Sequence, residues 1–235
     1  MLGLGNSIIS GGAPEEFLPT QISNLKLWLQ NGVGVTAAQW DDSSGNSNHA
    51  EQSNSGFQAT VSDGGLEFDA SDDHYDIDDI VIDDREALIV FAVIELDNVG
   101  NDTILGVDAT SGFIQVQSSK IVRVKIDGTS TSTTFGTDQI INDTKVVLAI
   151  QREEGATGNI NVFKNGSLLT PNTQRADSGP ITFKTIGSRS SDHYLDGHVL
   201  ELLVYDTADL TADEISNVNN YLTSKFGLKI KINLN

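Results

Sequence analysis

The densest group of chemically capable side chains in the sequence lies between Asp63 and Asp84. Ten carboxylates fall in this segment, and no Lys or Arg lies among them. Uncompensated carboxylates repel one another, and a cation that prefers oxygen ligands, such as Ca²⁺, would relieve the repulsion. Asp72, Asp73 and Asp76 are the candidate calcium ligands. The segment does not have the spacing of an EF-hand loop, so a solvated acidic surface stays open as the alternative.

Other reactive side chains are few. The chain has no cysteine, which excludes a disulfide framework, a thiolate zinc site and a thiol nucleophile. Its four histidines, at positions 49, 74, 193 and 198, lack the spacing of metal ligands and are predicted to be surface or turn residues. No Gly-x-Ser-x-Gly elbow and no phosphate-binding glycine loop occurs.

The charge balance narrows the choice of partners. Lys and Arg number 14 against 33 Asp and Glu, a formal net charge of −19 over 235 residues. A chain this acidic is not suited to binding nucleic acid through phosphates or to docking on anionic lipid. No stretch approaches the ~18 apolar residues of a membrane span. The first basic residue is Lys26, so the start of the sequence lacks the positive region of a signal peptide, and we expect synthesis in a cytoplasm.

The elements that must position these groups are predicted to be strands. From Leu25 onward, short apolar runs alternate with clusters of Gly, Asn, Asp, Ser and Thr, which is typical of an all-β sandwich of about a dozen strands. Residues 88–94, 145–150 and 199–205 are apolar nearly throughout and are predicted to be central strands covered on both faces. Asn165-Gly166 predicts a type I′ hairpin.

One helix is predicted near the end of the sequence. Thr211 and Glu214 form a capping-box pattern, apolar residues follow at helical spacing from Ile215 to Phe226, and Gly227 supplies the stop. A single amphipathic helix after many strands is expected to lie across the sandwich.

Three groups of segments carry a family resemblance. They are Pro19–Ala50 with its two tryptophans, Gly65–Tyr75, and a third group made of Val162–Gly166, Ile186–Gly187, Leu195–Tyr205 and Tyr221–Leu228. Over about residues 20–228 they resemble the laminin-G-like, concanavalin A-like lectin and glucanase superfamily. The resemblance implies a two-sheet antiparallel jelly-roll sandwich with one C-terminal helix. It does not fix the function, because the superfamily includes lectins, adhesin modules, hydrolases, lyases and structural domains.

The resemblance argues against an enzyme. Glycoside hydrolases on this sandwich share a Glu-x-Asp-x-Glu strand whose carboxylates act as nucleophile and general acid, and the retaining reaction needs both carboxyl groups. Here Glu67-Phe68-Asp69 is followed by Ala70-Ser71, and Glu95-Leu96-Asp97 by Asn98-Val99. The second catalytic carboxylate is missing in both segments. A non-enzymatic protein is therefore expected.

If a sugar is bound, we expect its site in loops at one rim, where Asp, Asn and an aromatic residue converge. Tyr75, His193 and Tyr194 are the candidate sugar-binding residues. Trp28 and Trp40 are predicted to be core or sheet-edge anchors rather than sugar platforms. The loop Asp41–Asn48 is predicted to be tied by hydrogen bonds from side chains to the backbone.

Three functions remain open on the sequence. The first is a structural protein of a tailed-phage virion, as capsid decoration or on the tail or baseplate, with a lectin-like domain that meets host-surface glycans. Domains of this kind that open with a glycine-rich arm resemble such proteins. The second is a lectin or adhesin module at a bacterial surface or outside the cell, and the third is a polysaccharide-cleaving enzyme. The absent cysteines fit assembly in a reducing cytoplasm.

Residues 1–20 are predicted to be an arm and residues 21–235 one domain. The arm has four glycines among irregularly spaced apolar residues, a pattern that does not suit an amphipathic helix. We expect it to dock on another virion protein or a second copy of the chain, by pairing along a sheet edge. The docking residues would be Leu2, Leu4, Ile8, Ile9 and Phe17.

Overall fold

The computed structural model describes residues 17–107, 112–126, 132–136, 139–173, 179–189, 192–206 and 210–228. A 3₁₀ turn at Pro19–Gln21 precedes the first strand. The strands are β1 (Leu25–Leu29), β2 (Gln39–Trp40), β3 (Ala50–Glu51), β4 (Thr60–Ser62), β5 (Gly65–Asp69), β6 (Tyr75–Ile82), β7 (Leu88–Leu96), β8 (Asp102–Gly106), β9 (Phe113–Val116), β10 (Val122–Lys125), β11 (Thr133–Phe135), β12 (Val146–Arg152), β13 (Ile160–Lys164), β14 (Ser167–Leu168), β15 (Pro171–Thr173), β16 (Ile181–Ile186) and β17 (Asp196–Asp206). The helix α1 covers Ala212–Lys225.

The strands form two antiparallel sheets, which confirms the predicted sandwich. Sheet A has the order β14-β13-β12-β7-β17-β5-β4, and β1 also pairs with β17, beyond the end of β5. Sheet B has the order β15-β11-β10-β9-β8-β16-β6-β3-β2. The three segments predicted as central strands are β7, β12 and β17, which lie side by side in the middle of sheet A.

One apolar core fills the space between the sheets. Alternate residues of sheet A, such as Val90 and Leu148, meet alternate residues of sheet B, such as Ile114 and Val122, and all four are buried. The period of two in β10 follows the sequence pattern, because Val122 and Val124 are buried while Arg123 and Lys125 lie on the other face. Trp40 is fully buried in this core, as predicted.

Helix α1 covers the outer face of sheet A. Its residues Ile215, Val218 and Leu222 join a second apolar cluster with the outward residues of β7, β12 and β17. The hydroxyl of Thr211 accepts a hydrogen bond from the Glu214 amide at 3.2 Å, and the Glu214 carboxylate accepts one from the Thr211 amide at 2.8 Å. The predicted capping box is therefore confirmed, and so is the predicted position of the helix. This covering is why the middle strands of sheet A are apolar on both faces.

The C-terminal end of α1 also follows the sequence prediction. Gly227 has φ +65°, its amide donates to the Ser224 carbonyl, and the Leu228 amide donates to the Thr223 carbonyl. This pair of hydrogen bonds is the Schellman arrangement, which requires a left-handed residue just after the helix.

Two predicted connections are confirmed as well. Asn165 and Gly166 have φ values of +48° and +77° between β13 and β14, as a type I′ turn requires. In the loop Asp41–Asn48, the Asp42 carboxylate accepts hydrogen bonds from the amides of Trp28, Ser44 and Asn48. The side chain of Asn48 returns a bond to the Lys26 carbonyl.

The last described residues of the predicted arm contact the folded domain. The Tyr205 hydroxyl donates to the Pro19 carbonyl at 3.1 Å. The ring of Phe17 packs edge-on against Tyr221 of α1, with centroids 6.4 Å apart. Phe17, predicted to meet a partner, therefore packs on the chain's own helix. The other predicted docking residues, at positions 2, 4, 8 and 9, lie outside the described residues.

Within the described residues, no helix combines the length and the apolar run that a membrane crossing would need.

Candidate functional site

Three carboxylates converge at one rim of the sandwich, in the turn between β5 and β6. Asp69, Asp72 and Asp73 each place an oxygen within 4.8 Å of the others. The turn is held by its own polar groups: the Asp73 carboxylate accepts a hydrogen bond from the Asp69 amide at 3.1 Å, and the Asp69 carboxylate accepts one from Ser71 at 2.9 Å. Carboxylate oxygens are the donors that Ca²⁺ prefers, so the donor set fits that ion.

The structure revises the predicted calcium ligands. Asp72 and Asp73 are brought together, but Asp76 is exposed in β6, opposite Glu51 and Thr185, and is not part of the cluster. The expectation for Asp76 is wrong because a strand residue cannot fold back into the preceding turn. Asp69 takes the third place. Sequence reasoning missed it because only the tight turn after β5, with Ala70 at φ +66°, carries Asp69 toward Asp72.

Burial and neighbouring charges act together on one carboxyl group of this turn, that of Asp73. Burial raises the pKa of Asp73 above its usual value, and the neighbouring carboxylates of Asp69 and Asp72 add to the rise, while His74 opposes it. Asp73 is 6% exposed. A proton or a cation at this turn would therefore relieve both desolvation and like-charge repulsion.

Three aromatic rings lie in a row beside this turn. The ring of His74 stands 5.4 Å from that of Phe57 and 6.3 Å from that of Tyr194, centroid to centroid. His74 is held in place because its amide donates to the Phe57 carbonyl and its Nδ1 lies 2.8 Å from the Asp72 carbonyl oxygen. Phe57 is 36% exposed. We call Phe57, His74 and Tyr194 the aromatic row.

Tyr75, which the sequence suggested for sugar binding, is not part of this row. It is fully buried, its hydroxyl donates to the Ala37 carbonyl at 2.6 Å, and its ring packs edge-on against Phe68. Burial raises its pKa to about 12. Tyr75 alternates inward along β6 and is a core anchor, so the sugar-binding prediction is wrong for this residue.

A shallow depression of about 330 Å³ adjoins the aromatic row. It is lined by Ala70, Asn101, Asp192, His193 and Tyr194. The structure thus brings the predicted residues His193 and Tyr194 together with the amide of Asn101 from another loop and with the carboxylate of Asp192 from their own. His193 has φ +57°, and its amide donates to its neighbour's carboxylate at 2.7 Å, which fixes the turn that presents both rings.

A buried carboxylate pins the loops that form the depression. Asp102, 1% exposed, accepts hydrogen bonds from the amides of Gly100 at 2.7 Å and Asp196 at 3.1 Å. Burial raises the pKa of Asp102 to about 6. These bonds join the start of β8 to the start of β17, so Asn101 and Tyr194 face the same space. Nothing in the sequence near Asp102 distinguished it from an ordinary loop residue.

Comparisons with known proteins give structural matches alone. No family model matches the chain, and no curated protein matches it. Domain 4 of AbnA, a GH43 extracellular arabinanase from Geobacillus stearothermophilus, solved with arabinotriose, is 15% identical with a TM-score of 0.60, over 83% of this chain and 98% of that one. Trypanosoma rangeli sialidase with sialic acid is 14% identical with a TM-score of 0.57, over 88% of this chain.

A third match is botulinum neurotoxin type C, whose cell uptake depends upon interaction with two ganglioside molecules. It is 15% identical with a TM-score of 0.56, over 85% of this chain. This chain spans 34% of the sialidase and 51% of the toxin chain. At these identities the likeness shows the fold alone, a two-sheet antiparallel β-sandwich.

Proposed function

We propose that this domain is a non-catalytic carbohydrate-binding module, with the saccharide lying along the aromatic row and in the depression beside it. The observation that carries the proposal is the row itself, three neighbouring rings next to amide and carboxylate side chains. A sugar ring has an apolar C–H face that packs on aromatic rings and hydroxyls at its edge that bond to such polar groups. Asn101 and Asp192 supply those groups in the depression.

The row suits recognition because it is arranged before any ligand arrives. His74 is bonded to the backbone on both of its sides, through the Phe57 carbonyl and the Asp72 carbonyl. The turn that carries Tyr194 is tied through His193 to Asp192 and through the His193 carbonyl to the Thr103 amide at 3.2 Å. Side chains that are already ordered lose less entropy on binding, which favours affinity.

The non-catalytic part of the proposal rests on the state of the carboxylates. Asp102 has the raised pKa that a general acid needs, yet it is buried beneath the loops and already accepts two backbone hydrogen bonds. Glu67 and Glu95 lie opposite His198 on neighbouring strands, and the Glu67 carboxylate is 3.5 Å from the imidazole. The Glu95 carboxylate lies 3.7 Å from the Lys145 ammonium group, so both glutamates already face a basic side chain, whereas hydrolysis of a glycoside requires two free carboxyl groups.

Two of the structural matches support the proposal. Domain 4 of the arabinanase was solved with arabinotriose, and the neurotoxin interacts with gangliosides, which are glycolipids. Each contains a domain with this fold.

A glycan array followed by calorimetry tests the proposal. We expect the domain to bind at least one oligosaccharide, and we expect Tyr194→Ala to lower that affinity about tenfold or more, because a stacked ring contributes on the order of 1 kcal/mol beyond its buried area. Leu168→Ala is the matched control, since Leu168 is 62% exposed in β14, at the edge of sheet A. Equal binding by the wild type and Tyr194→Ala would refute the location. Binding to no oligosaccharide would refute the function.

We propose further that the module works on the particle of a tailed phage, as capsid decoration or on the tail or baseplate, beside other virion proteins. This narrower proposal rests on the sequence resemblance and on the cysteine-free, acidic composition, since a net charge of −19 keeps a particle surface soluble and away from encapsidated DNA. Mass spectrometry of purified particles tests it. The chain should be a stoichiometric component, and its absence would contradict the virion role while leaving sugar binding untouched.

A further inference from the structure

Two arginines share one aromatic ring on the face of sheet B that points away from sheet A. The guanidinium carbons of Arg123 and Arg189 stand 4.9 and 4.3 Å from the centroid of the Phe113 ring. Phe113 lies in β9 next to Ile114, which points into the core between the sheets, so Phe113 points to the opposite face. We call Arg123 and Arg189 the arginine pair, and we call Phe113 its platform.

Among the described residues, no carboxylate lies within 4.0 Å of the guanidinium nitrogens of the arginine pair. Arg123 donates to the Ser132 hydroxyl at 2.8 Å, and a guanidinium nitrogen of Arg189 lies 3.3 Å from Nε2 of His193. The nearest carboxylate, that of Asp192, lies 2.8 Å from Nδ1 of His193, and its charge also acts on Arg189. In a chain with 33 acidic and 14 basic residues, two cations on one ring with a single carboxylate near them form a positive spot.

The energetics of this arrangement favour an incoming anion. Partial burial lowers the pKa of both arginines, and the charge of Arg123 lowers the pKa of Arg189 further, while the Asp192 carboxylate opposes that change. Like charges held close together on a low-dielectric ring repel each other, and an anion between them would offset both the repulsion and the lost hydration. The platform also holds the planar guanidinium groups in place, which reduces the entropy lost when they bind a ligand.

The arginine pair adjoins the proposed sugar site through one side chain. His193 contacts Arg189 on one side and lines the depression with Asn101 and Tyr194 on the other. The His193 imidazole would therefore be the one side chain between a saccharide in that depression and Arg189 of the arginine pair. At the other end of the same rim are the carboxylates of Asp69, Asp72 and Asp73.

We infer that the ligand is an acidic saccharide, whose carboxylate is held by Arg123 and Arg189 while its sugar rings lie in the depression. This inference rests on the proposed sugar-binding function and names the class of sugar. A carboxylate matches the fork of a guanidinium group and forms paired, charge-assisted hydrogen bonds with it. The positive and negative ends of the rim would also fix the direction of the chain.

Matched acidic and neutral oligosaccharides test this inference by calorimetry. The probes are a galacturonate oligomer with its carboxyl-reduced form, sialyllactose with lactose, and a sulfated galactose oligomer. The wild type should bind at least one carboxylated probe about tenfold or more tighter than its neutral counterpart. Arg123→Gln and Arg189→Gln should each remove about tenfold of affinity for that acidic probe and change affinity for the neutral one less than twofold.

Arg85→Gln is the control, because it removes one positive charge from an exposed arginine that pairs with Asp84. It should change neither affinity by more than about twofold. Equal wild-type affinity for acidic and neutral probes overturns the inference without needing any variant to fold, and so does an equal loss for both probes in the arginine variants. Tighter binding of the sulfated probe than of the carboxylated probes would contradict a carboxylate as the group that the arginine pair recognises. If the domain binds the neutral probes and Tyr194→Ala weakens that binding, the proposed function stands. Binding to no probe would overturn both the inference and the proposed function.

Discussion

The indole nitrogen of Trp28 donates a 2.8 Å hydrogen bond to the carboxylate of Glu201, a side chain with no exposed surface. The two residues are 173 positions apart in the chain and meet on the outer face of sheet A, beneath α1. The ammonium group of Lys225, in the last turn of the helix, lies 2.7 Å from the other carboxylate oxygen. The helix is therefore anchored to the sheet by a buried charge as well as by apolar packing.

Replacing Lys225 should leave the buried Glu201 carboxylate without its ion-pair partner and should lower the stability of the domain. We expect Lys225→Met to lower the free energy of unfolding by about 3 kcal/mol, the lower end of the range for breaking a buried ion pair, because Lys225 itself is 24% exposed. Lys26→Met is the control, since its ion pair with Asp206 is half-exposed and should contribute less than about 1 kcal/mol. Urea unfolding measures both, and equal losses would contradict the anchoring role of Glu201.

The stability of the domain should depend on the titration of Asp102. Folded Asp102 keeps its proton up to a pKa of about 6, whereas an unfolded Asp loses it near ~3.9. Between these values the folded state binds more protons, so the contribution of Asp102 is fully present below about pH 4 and is lost as the pH rises through about 6.

Asp102→Asn removes this titration and keeps the shape of the side chain. The free energy of unfolding of the wild type, minus that of the variant, should fall by roughly 2–3 kcal/mol between pH 4 and pH 7. Asp73 and Asp196, whose pKa values are also raised, are present in both proteins. Unfolding curves at several pH values check this. A difference between wild type and variant that does not change with pH would mean that burial does not raise the pKa of Asp102.

Calcium should stabilise the rim if Asp69, Asp72 and Asp73 bind it. An ion at about one hundred times its dissociation constant adds about 2.7 kcal/mol, which raises Tm by roughly 5–10 °C for a chain of this size. Asp69→Asn should abolish the rise, whereas Asp76→Asn should keep it because Asp76 lies outside the cluster. Thermal unfolding with calcium and with EDTA measures the difference. An unchanged Tm in the wild type would favour the solvated acidic surface.

Substitutions at two tyrosines should separate an effect on stability from an effect on saccharide binding. Tyr75→Phe removes a buried hydroxyl that donates to the Ala37 carbonyl, and should cost about 1–2 kcal/mol without changing saccharide affinity. Tyr194→Phe, at the surface, should change stability by less than about 0.5 kcal/mol. Parallel unfolding and calorimetry on both variants check this, and a loss of affinity in Tyr75→Phe at full stability would return Tyr75 to the site.

Local pattern was enough to predict the architecture. The period of two in β10, the apolar runs of β7, β12 and β17, the Asn165-Gly166 turn and the capping box at Thr211 each depend on neighbours within a few residues. Such features can be predicted from the sequence because backbone geometry and side-chain alternation decide them before any distant contact forms.

The site could be predicted only in part, because distant loops build it. His193 and Tyr194 could be predicted because they are adjacent in the sequence, but their neighbours His74 and Asn101 come from other loops. Tyr75 and Asp76 are residues that the sequence assigned to a site and the structure does not. They are adjacent in sequence, and the pairing of β6 within sheet B decides that one is buried and the other exposed. Composition and pattern determined the sandwich and its acidic character, whereas which loops meet at the rim was decided by the tertiary structure, through contacts such as the bond between Asp102 and Asp196, 94 residues apart.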